Sequence, residues 1–379
     1  MNELLGIYIH IPFCVSKCFY CDFNSYTDKS YIIKDYIKYL KKEIDLYSVE
    51  LKDYKVKTIF IGGGTPSSID SKFLSDIVNH IYKKFNLSTL IEFTVEANPK
   101  TIDKYKLKDY KNLGINRMSL GLQSFNDKLL KSIGRIHTAR DFLESYDLIR
   151  KFGFDNVNVD VMFNLPGQTI KDVIDTLKKV IALKPEHISF YSLKIEEGTL
   201  FYKLYNESRL DLPDEDTERD MYHKGIELLE DNNFIHYEIS NFAKHGYECK
   251  HNLIYWNVKP YLGLGLSAHS NINNKRWSNF GDFKQYFEYL DNGRLPIEEN
   301  EEIDVEMEMA EFMILGLRLI KGIEKLDFKK RFGLNVDDIY GMQLRSLENK
   351  GLIENKEEYI KLTKRGIDLS NLVFMELLP

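Results

Sequence analysis

The sequence predicts an α/β fold, a partial (β/α) barrel of about six parallel strands followed by a small winged-helix-like C-terminal domain. Three observations predict it. Over the first two thirds of the chain, short β-branched or aromatic runs alternate with helical patterns, the rhythm of a parallel sheet with crossover helices. From about Glu301 the texture changes to helical patterns followed by two short strands. At 379 residues, with 43% hydrophobic and 13% aromatic side chains, the chain can bury a large core and is too long for one small domain.

In order along the chain, strands are expected near residues 6–11, 57–61, 91–97, 117–121, 157–162 and 187–193. Between them lie helices such as 31–46, where Ile32, Ile33, Tyr36, Ile37 and Leu40 fall on one face. A more irregular region follows from about Lys194, with a helix near 216–231, then the segments 238–242, 251–256 and the Gly-rich 261–270. Read as extended, the second of these would put Cys249 and His251 on one side. The C-terminal part is expected as helices over 305–320 and 337–349, strands at 352–354 and 359–362, and a final helix. The expected division is thus 1–195 for the barrel with its loops, 196–300 for a barrel extension, and 301–379 for the C-terminal domain.

Charge and leader patterns exclude several classes. Net charge is −6, and residues 301–379 hold twelve basic and sixteen acidic side chains, so the winged-helix-like unit is expected to be structural or partner-docking and not to bind nucleic acid. The first residues lack a basic leader region, and no stretch approaches the ~20 apolar residues a membrane span needs. A soluble cytoplasmic protein is expected.

Four cysteines are too few for a disulfide framework, and three of them, Cys14, Cys18 and Cys21, lie together directly after the first expected strand. Three thiolates at this spacing can each take one iron of a cubane cluster and leave the fourth iron open for a small chelating molecule. A structural zinc site with a fourth ligand such as His10 is the alternative. Phe13, Phe19, Tyr20 and Phe23 interleave with the cysteines and would limit water access. The second strand runs into Gly62-Gly63-Gly64-Thr65-Pro66, where missing side chains would let backbone N–H groups approach a ligand. Glu96, Gln123 and Asp160 sit at or near later strand ends, which converge on one face of a parallel barrel.

The run Tyr8-x-His10-x-Pro12-Phe13-Cys14-x-x-x-Cys18-x-Tyr20-Cys21, with Gly62 to Pro66, resembles the radical S-adenosylmethionine (SAM) superfamily. More narrowly it is similar to the oxygen-independent coproporphyrinogen III oxidase branch. Gly121 to Phe125, Asn164 to Thr169 and the ending Leu362-Thr363-x-x-Gly366 extend the match. The resemblance implies a 4Fe-4S cluster on Cys14, Cys18 and Cys21, with SAM at its open iron. It implies Tyr8 and Tyr20 as neighbours of cofactor and cluster, Gly63, Gly64 and Thr65 at the methionine moiety, and Glu96 at the ribose hydroxyls. Gln123, Arg135 and Asp160 match positions that in the oxidase serve a second SAM; on its own Arg135 reads as a solvated helix-end cation.

Two departures separate the chain from the oxidase. Phe23 stands where the oxidase has a further cysteine, and only seven residues precede Tyr8, so the oxidase's N-terminal cover is expected to be absent. Both features resemble the HemW-type haem chaperones, as does His251-Asn252-x-x-Tyr255-Trp256, which matches the HNxxYW motif associated with haem. That resemblance implies haem as a further cofactor, with Cys249 or His269 as auxiliary ligands and a haem-accepting protein as partner. The alternative for the motif is a packed aromatic strand with a satisfied core histidine. Function is therefore expected to be haem binding and delivery, without coproporphyrinogen oxidase activity. The other class is a radical SAM enzyme acting on a tetrapyrrole, which would call for a flavodoxin- or ferredoxin-type electron donor.

Overall fold

The computed structural model describes residues 4–379. Six strands pair in sequence order, every pair parallel: β1 (Leu4–Ile11), β2 (Lys55–Gly63), β3 (Glu92–Ala97), β4 (Arg117–Gln123), β5 (Val157–Phe163) and β6 (His187–Ser192). The crossovers are α1 (Ile33–Glu50), α2 (Ser71–Lys84), α3 (Lys104–Asn112), the pair α4 (Asp127–Ser132) and α5 (Ala139–Lys151), and α6 (Ile170–Ala182). Their starts are written locally. Asp70, Asp103 and Asn126 cap backbone N–H groups, and Thr138 with Asp141 and Thr169 with Asp172 form capping boxes.

After α7 (Leu200–Asn206) and α8 (Glu215–Glu230), the hairpin of β7 (Ile235–Glu238) and β8 (Asn241–Ala243) lies antiparallel beside β6. The short helix α9 (Lys250–Trp256) comes next, and β9 (Tyr261–Leu264) then returns parallel to β1. Beyond it β10 (His269–Ile272), β11 (Lys275–Asn279) and, past α10 (Phe283–Asp291), β12 (Ile297–Glu302) extend that edge. The expected six parallel strands are therefore the middle of a 12-stranded open sheet.

Alternation along the strands sorts the side chains into two faces. Leu5, Ile7, Ile9, Ile59, Ile61, Phe93, Val95, Val157 and Val159 pack with α1, α2, α3, α5 and α6 in one buried cluster. The opposite positions are polar: Thr58, Glu92, Glu96, Arg117, Ser119, Asn158, Asp160 and His187. They can be polar because that face encloses a cavity, and because α9 lies against it. Thr58 on β2, Glu92 on β3 and Tyr237 on β7 all bond to residues 249–251, so the sheet curves around this short helix.

The extended reading of residues 249–256 does not hold. Cys249 is the N-cap of α9, and the Glu92 carboxylate accepts the Lys250 and His251 N–H groups that a helix start leaves open.

The C-terminal unit has its own core, including Met313, Leu317, Phe328, Leu344, Leu347, Val373 and Leu377. It is built from α11 (Val305–Gly316), β13 (Ile323–Glu324), α12 (Lys325–Phe332), α13 (Val336–Asn349), β14 (Ile353–Asn355), β15 (Tyr359–Leu362), α14 (Lys364–Asp368) and α15 (Ser370–Glu376). Its three strands form one antiparallel sheet in the order β13-β15-β14. The helix expected to reach residue 320 stops at Gly316, because the next residues pair with the barrel. The Ile239 N–H donates to the Arg318 carbonyl (3.1 Å) and the Ile320 N–H to the Tyr237 carbonyl (3.1 Å).

Gly322 turns the chain into β13 at φ +73°, and a Cβ there would run into the Ile360 carbonyl oxygen. Gly322→Ala should therefore destabilise the C-terminal unit by about 2–3 kcal/mol in urea unfolding. Unchanged stability would show that the turn relaxes without cost.

Candidate functional site

The loops after β1 to β4 meet at one end of the barrel and are wired together. Tyr8 donates its hydroxyl to His10 Nδ1 (3.1 Å), while His10 Nε2–H donates to the Asn24 carbonyl (2.8 Å). Burial drops the His10 pKa to about 4, so the ring is a neutral brace for the cysteine loop. With Nδ1 taking the Tyr8 hydroxyl and Nε2–H the Asn24 carbonyl, His10 could ligate zinc only by giving up one of these bonds.

The Gly63-Gly64-Thr65 turn serves the same loop. The Gly64 N–H donates to the Ile11 carbonyl (2.9 Å), the Thr65 N–H to the Phe13 carbonyl (2.8 Å) and the Gly63 N–H to Glu96 (3.3 Å). A Cβ at Gly64 would meet the Phe13 carbonyl oxygen at 2.7 Å. The expectation of free N–H groups for a ligand thus needs correcting: these donors hold the cysteine segment and Glu96, and glycine is required for that close approach.

Cys14, Cys18 and Cys21 are half-buried at the cavity mouth. The Cys21 thiol is pushed up to about 11, chiefly by burial, with Cys18 and Cys14 adding to it, so the sulfurs feel one another's charge. Cys14 Sγ lies 3.5 Å from Thr65 Oγ1, Asn98 Nδ2 donates to Thr65 Oγ1 (2.9 Å), and Arg135 donates to Asn98 Oδ1 (2.7 Å) and the Tyr20 hydroxyl (2.8 Å). Arg135 is therefore drawn into the site and does not behave as a solvated helix-end cation. Among the described residues no three His, Cys, Asp or Glu side chains are gathered to hold a single metal ion. A cubane does not need that, because each thiolate takes a different iron. Phe23, by contrast, is 57% exposed at the rim.

A cavity of about 460 Å³ runs inward from these cysteines. Glu96 and Asp160 face it from β3 and β5; Gln123, at φ +71° on an irregularity of β4, accepts the Tyr191 hydroxyl (3.1 Å). Burial chiefly, then the charge of Asp160, pushes the Glu96 carboxyl up to about 8. At the far end the cavity reaches Arg117, Cys249, Asn252 and Trp256. Trp256 also lines a separate groove of about 940 Å³ between the barrel and the C-terminal unit.

His251 is buried and both its nitrogens are engaged, Nδ1 with Thr58 Oγ1 (2.7 Å) and Nε2 with the Tyr255 hydroxyl (2.8 Å). Cys249 is fully buried, its thiol 3.5 Å from Glu92 and pushed up to about 12 by burial. It lies beside Glu92 at the foot of β3, and Glu92 comes four residues before Glu96 on that strand. His269 is exposed on β10 and lines neither cavity. The residues that hold this inner end, Thr58, Glu92, Arg117, Asn158 and His187, were missed by looking only at strand ends. Their signal is a polar side chain at every second position of an otherwise apolar strand.

Similarity to known proteins agrees with this geometry. The family model of the radical SAM superfamily matches residues 8–180, and that of the HemN C-terminal domain matches 303–369. This defines a radical SAM protein, a class that carries a 4Fe-4S cluster and SAM, and the three cysteines and the cavity below them fit both. The haem chaperone HemW of Bacillus subtilis (strain 168) is 41% identical over 370 residues, covering 97% of either chain. That of Lactococcus lactis subsp. lactis (strain IL1403) is 37% identical, covering 98% of this chain and 96% of the relative. That of Escherichia coli (strain K12) is 34% identical, covering 96% and 95%. The chain belongs to the HemW family. Its fold is that of the coproporphyrinogen III oxidase HemN from Escherichia coli, a radical SAM enzyme, with a TM-score of 0.86 at 22% identity over 99% of this chain and 90% of the other.

Two outcomes follow. Anaerobically reconstituted protein should bind about four irons per chain, with a spectrum that SAM perturbs. Cys14→Ala, Cys18→Ala or Cys21→Ala should abolish this, and Cys249→Ala should not. Separately, in the ligand-free protein the Glu96 carboxyl holds its proton to a higher pH than in the unfolded chain. The stability this contributes is fully present below the ordinary carboxyl pKa, about 4.5, and is lost as pH rises through about 8. Glu96→Gln should flatten the fall in stability between pH 5 and 8 seen in urea unfolding; an unaltered slope would place that titration elsewhere.

Proposed function

We propose that this protein is a haem chaperone, which binds haem and passes it to an acceptor protein while carrying a 4Fe-4S cluster and SAM. The observation that carries the reading is the similarity, at 34–41% identity over nearly the whole chain, to proteins named haem chaperone HemW. Cys14, Cys18 and Cys21 hold the cluster, with Tyr8 and Tyr20 nearby; Gly63, Gly64 and Thr65 flank the methionine moiety of SAM and Glu96 its ribose. Gln123, Arg135 and Asp160 line the space beyond. A reducing compartment such as the cytoplasm suits this reading, because the three thiolates must stay reduced.

Haem is held by the His251, Asn252, Tyr255 and Trp256 segment. A metal-ligating histidine normally donates its second ring N–H to a fixed acceptor, and Thr58 Oγ1 stands ready at Nδ1. The Nε2 lone pair, which takes the Tyr255 hydroxyl here, would be the one offered to haem iron. Wild-type protein should bind about one haem per chain, with a shifted Soret band. His251→Ala should weaken or alter that spectrum, whereas Tyr255→Phe, which frees Nε2, should retain or tighten binding. Unchanged haem binding in His251→Ala would remove the motif from the haem site.

One observation favours a second reading, a radical SAM enzyme acting on a tetrapyrrole with a flavodoxin- or ferredoxin-type donor: the cavity is continuous from the cysteines to α9. Exposed Phe23 at the oxidase's cysteine position weighs against it. No coproporphyrinogen decarboxylation is expected from reconstituted protein with strong reductant and excess SAM; repeated turnover would reverse the assignment.

A further inference from the structure

The inner end of the cavity carries an arginine whose guanidinium stacks on an indole without a hydrogen bond or ion pair among the described residues. Arg318, from the strand-like segment that pairs with β7, lies 4.5 Å over the Trp256 ring. Its buried Nε has no partner. Buried polar atoms without partners cluster around it: Trp256 Nε1, Glu238 Oε2 and Asn241 Oδ1. Glu238 is fully buried, Asn241 is 8% exposed, and all four residues line the cavity that begins at the cysteines. Buried polar groups are ordinarily satisfied, and four unpartnered ones lining one cavity call for an explanation.

We infer that Arg318, with Trp256, forms a carboxylate-binding subsite at the inner end of the cavity, separate from the residues grouped around the cysteines. A carboxylate would accept from the guanidinium and from the indole N–H together, the charge-assisted arrangement that arginine favours. Glu238 faces the same space: burial raises its pKa, while the Arg318 charge and the hydrogen bonds from Asn241 and Ser240 lower it. Two ligands of this protein class present such a group, a porphyrin propionate and the aminocarboxylate of a SAM molecule other than the one at the cluster. Only the porphyrin arm of the test rests on the haem-binding reading.

The test uses cluster-reconstituted full-length protein and three probes: ferric haem, haem dimethyl ester, whose propionates are blocked, and SAM. If the carboxylate is a propionate, wild type should prefer haem to the ester by about tenfold. Arg318→Met should then bind both with the affinity wild type shows for the ester, and Arg318→Lys should restore part of the preference. If Arg318→Met loses a SAM-binding event while the cluster's spectral response to SAM is kept, the subsite stands and holds the carboxylate of a second SAM. Unchanged affinities for all three probes in Arg318→Met overturn the inference. Equal weakening of haem and ester, with SAM unaffected, also overturns it, since that reports only a damaged wall. If wild type binds no haem, the chaperone reading falls by itself and the SAM arm alone decides the subsite.

Discussion

The Glu92 carboxylate, buried at the foot of β3, fixes the inner half of the molecule. It accepts the Lys250 and His251 N–H groups, lies 3.5 Å from the Cys249 thiol and feels the charge of Arg117 on the next strand. Each bond it leaves unmade would strand a buried donor at a cost of about 1–3 kcal/mol. The position of α9 depends on it. So does the depth of the cavity, because α9 is what the curved sheet closes upon, and so does the environment of His251.

A second chain of contacts governs the opposite end. From Cys14 it passes through Thr65 and Asn98 to Arg135 and Tyr20, joining the loops that follow four successive strands. The loops carry the chemistry, but they are not loose. Their backbone donors and side-chain hydroxyls are spent on one another, so the cysteine segment sits on a stiff support. This is the second-layer bracing that a redox centre needs if its potential is to be defined.

Much of this was legible in the sequence. The six strands appear within a residue or two of where β-branched runs place them, because parallel strands buried on one face leave a strong apolar imprint. The cysteine spacing and the strand-end Glu96, Gln123 and Asp160 pointed to the cavity. Less was legible where long-range contacts decide. Residues 251–256 are helical because Glu92, some 160 positions earlier, satisfies the helix start, and no local pattern announces that. Arg135 looks solvated until Asn98 and Tyr20 are seen beside it. The triple glycine suggested a ligand cradle, whereas its N–H groups are consumed by the neighbouring loop and by Glu96.

The pairing of residues 318–320 with β7 has a consequence for how the molecule is made. Arg318 and the segment around it are synthesised after every strand of the 12-stranded sheet, yet they finish a wall enclosed otherwise by residues made earlier. Domains generally fold as units from the N-terminus during synthesis. A nascent barrel therefore stands with one side unsealed and a bare strand edge until the C-terminal unit docks, which is when its interior is most accessible to an incoming molecule and most exposed to mispairing with another chain.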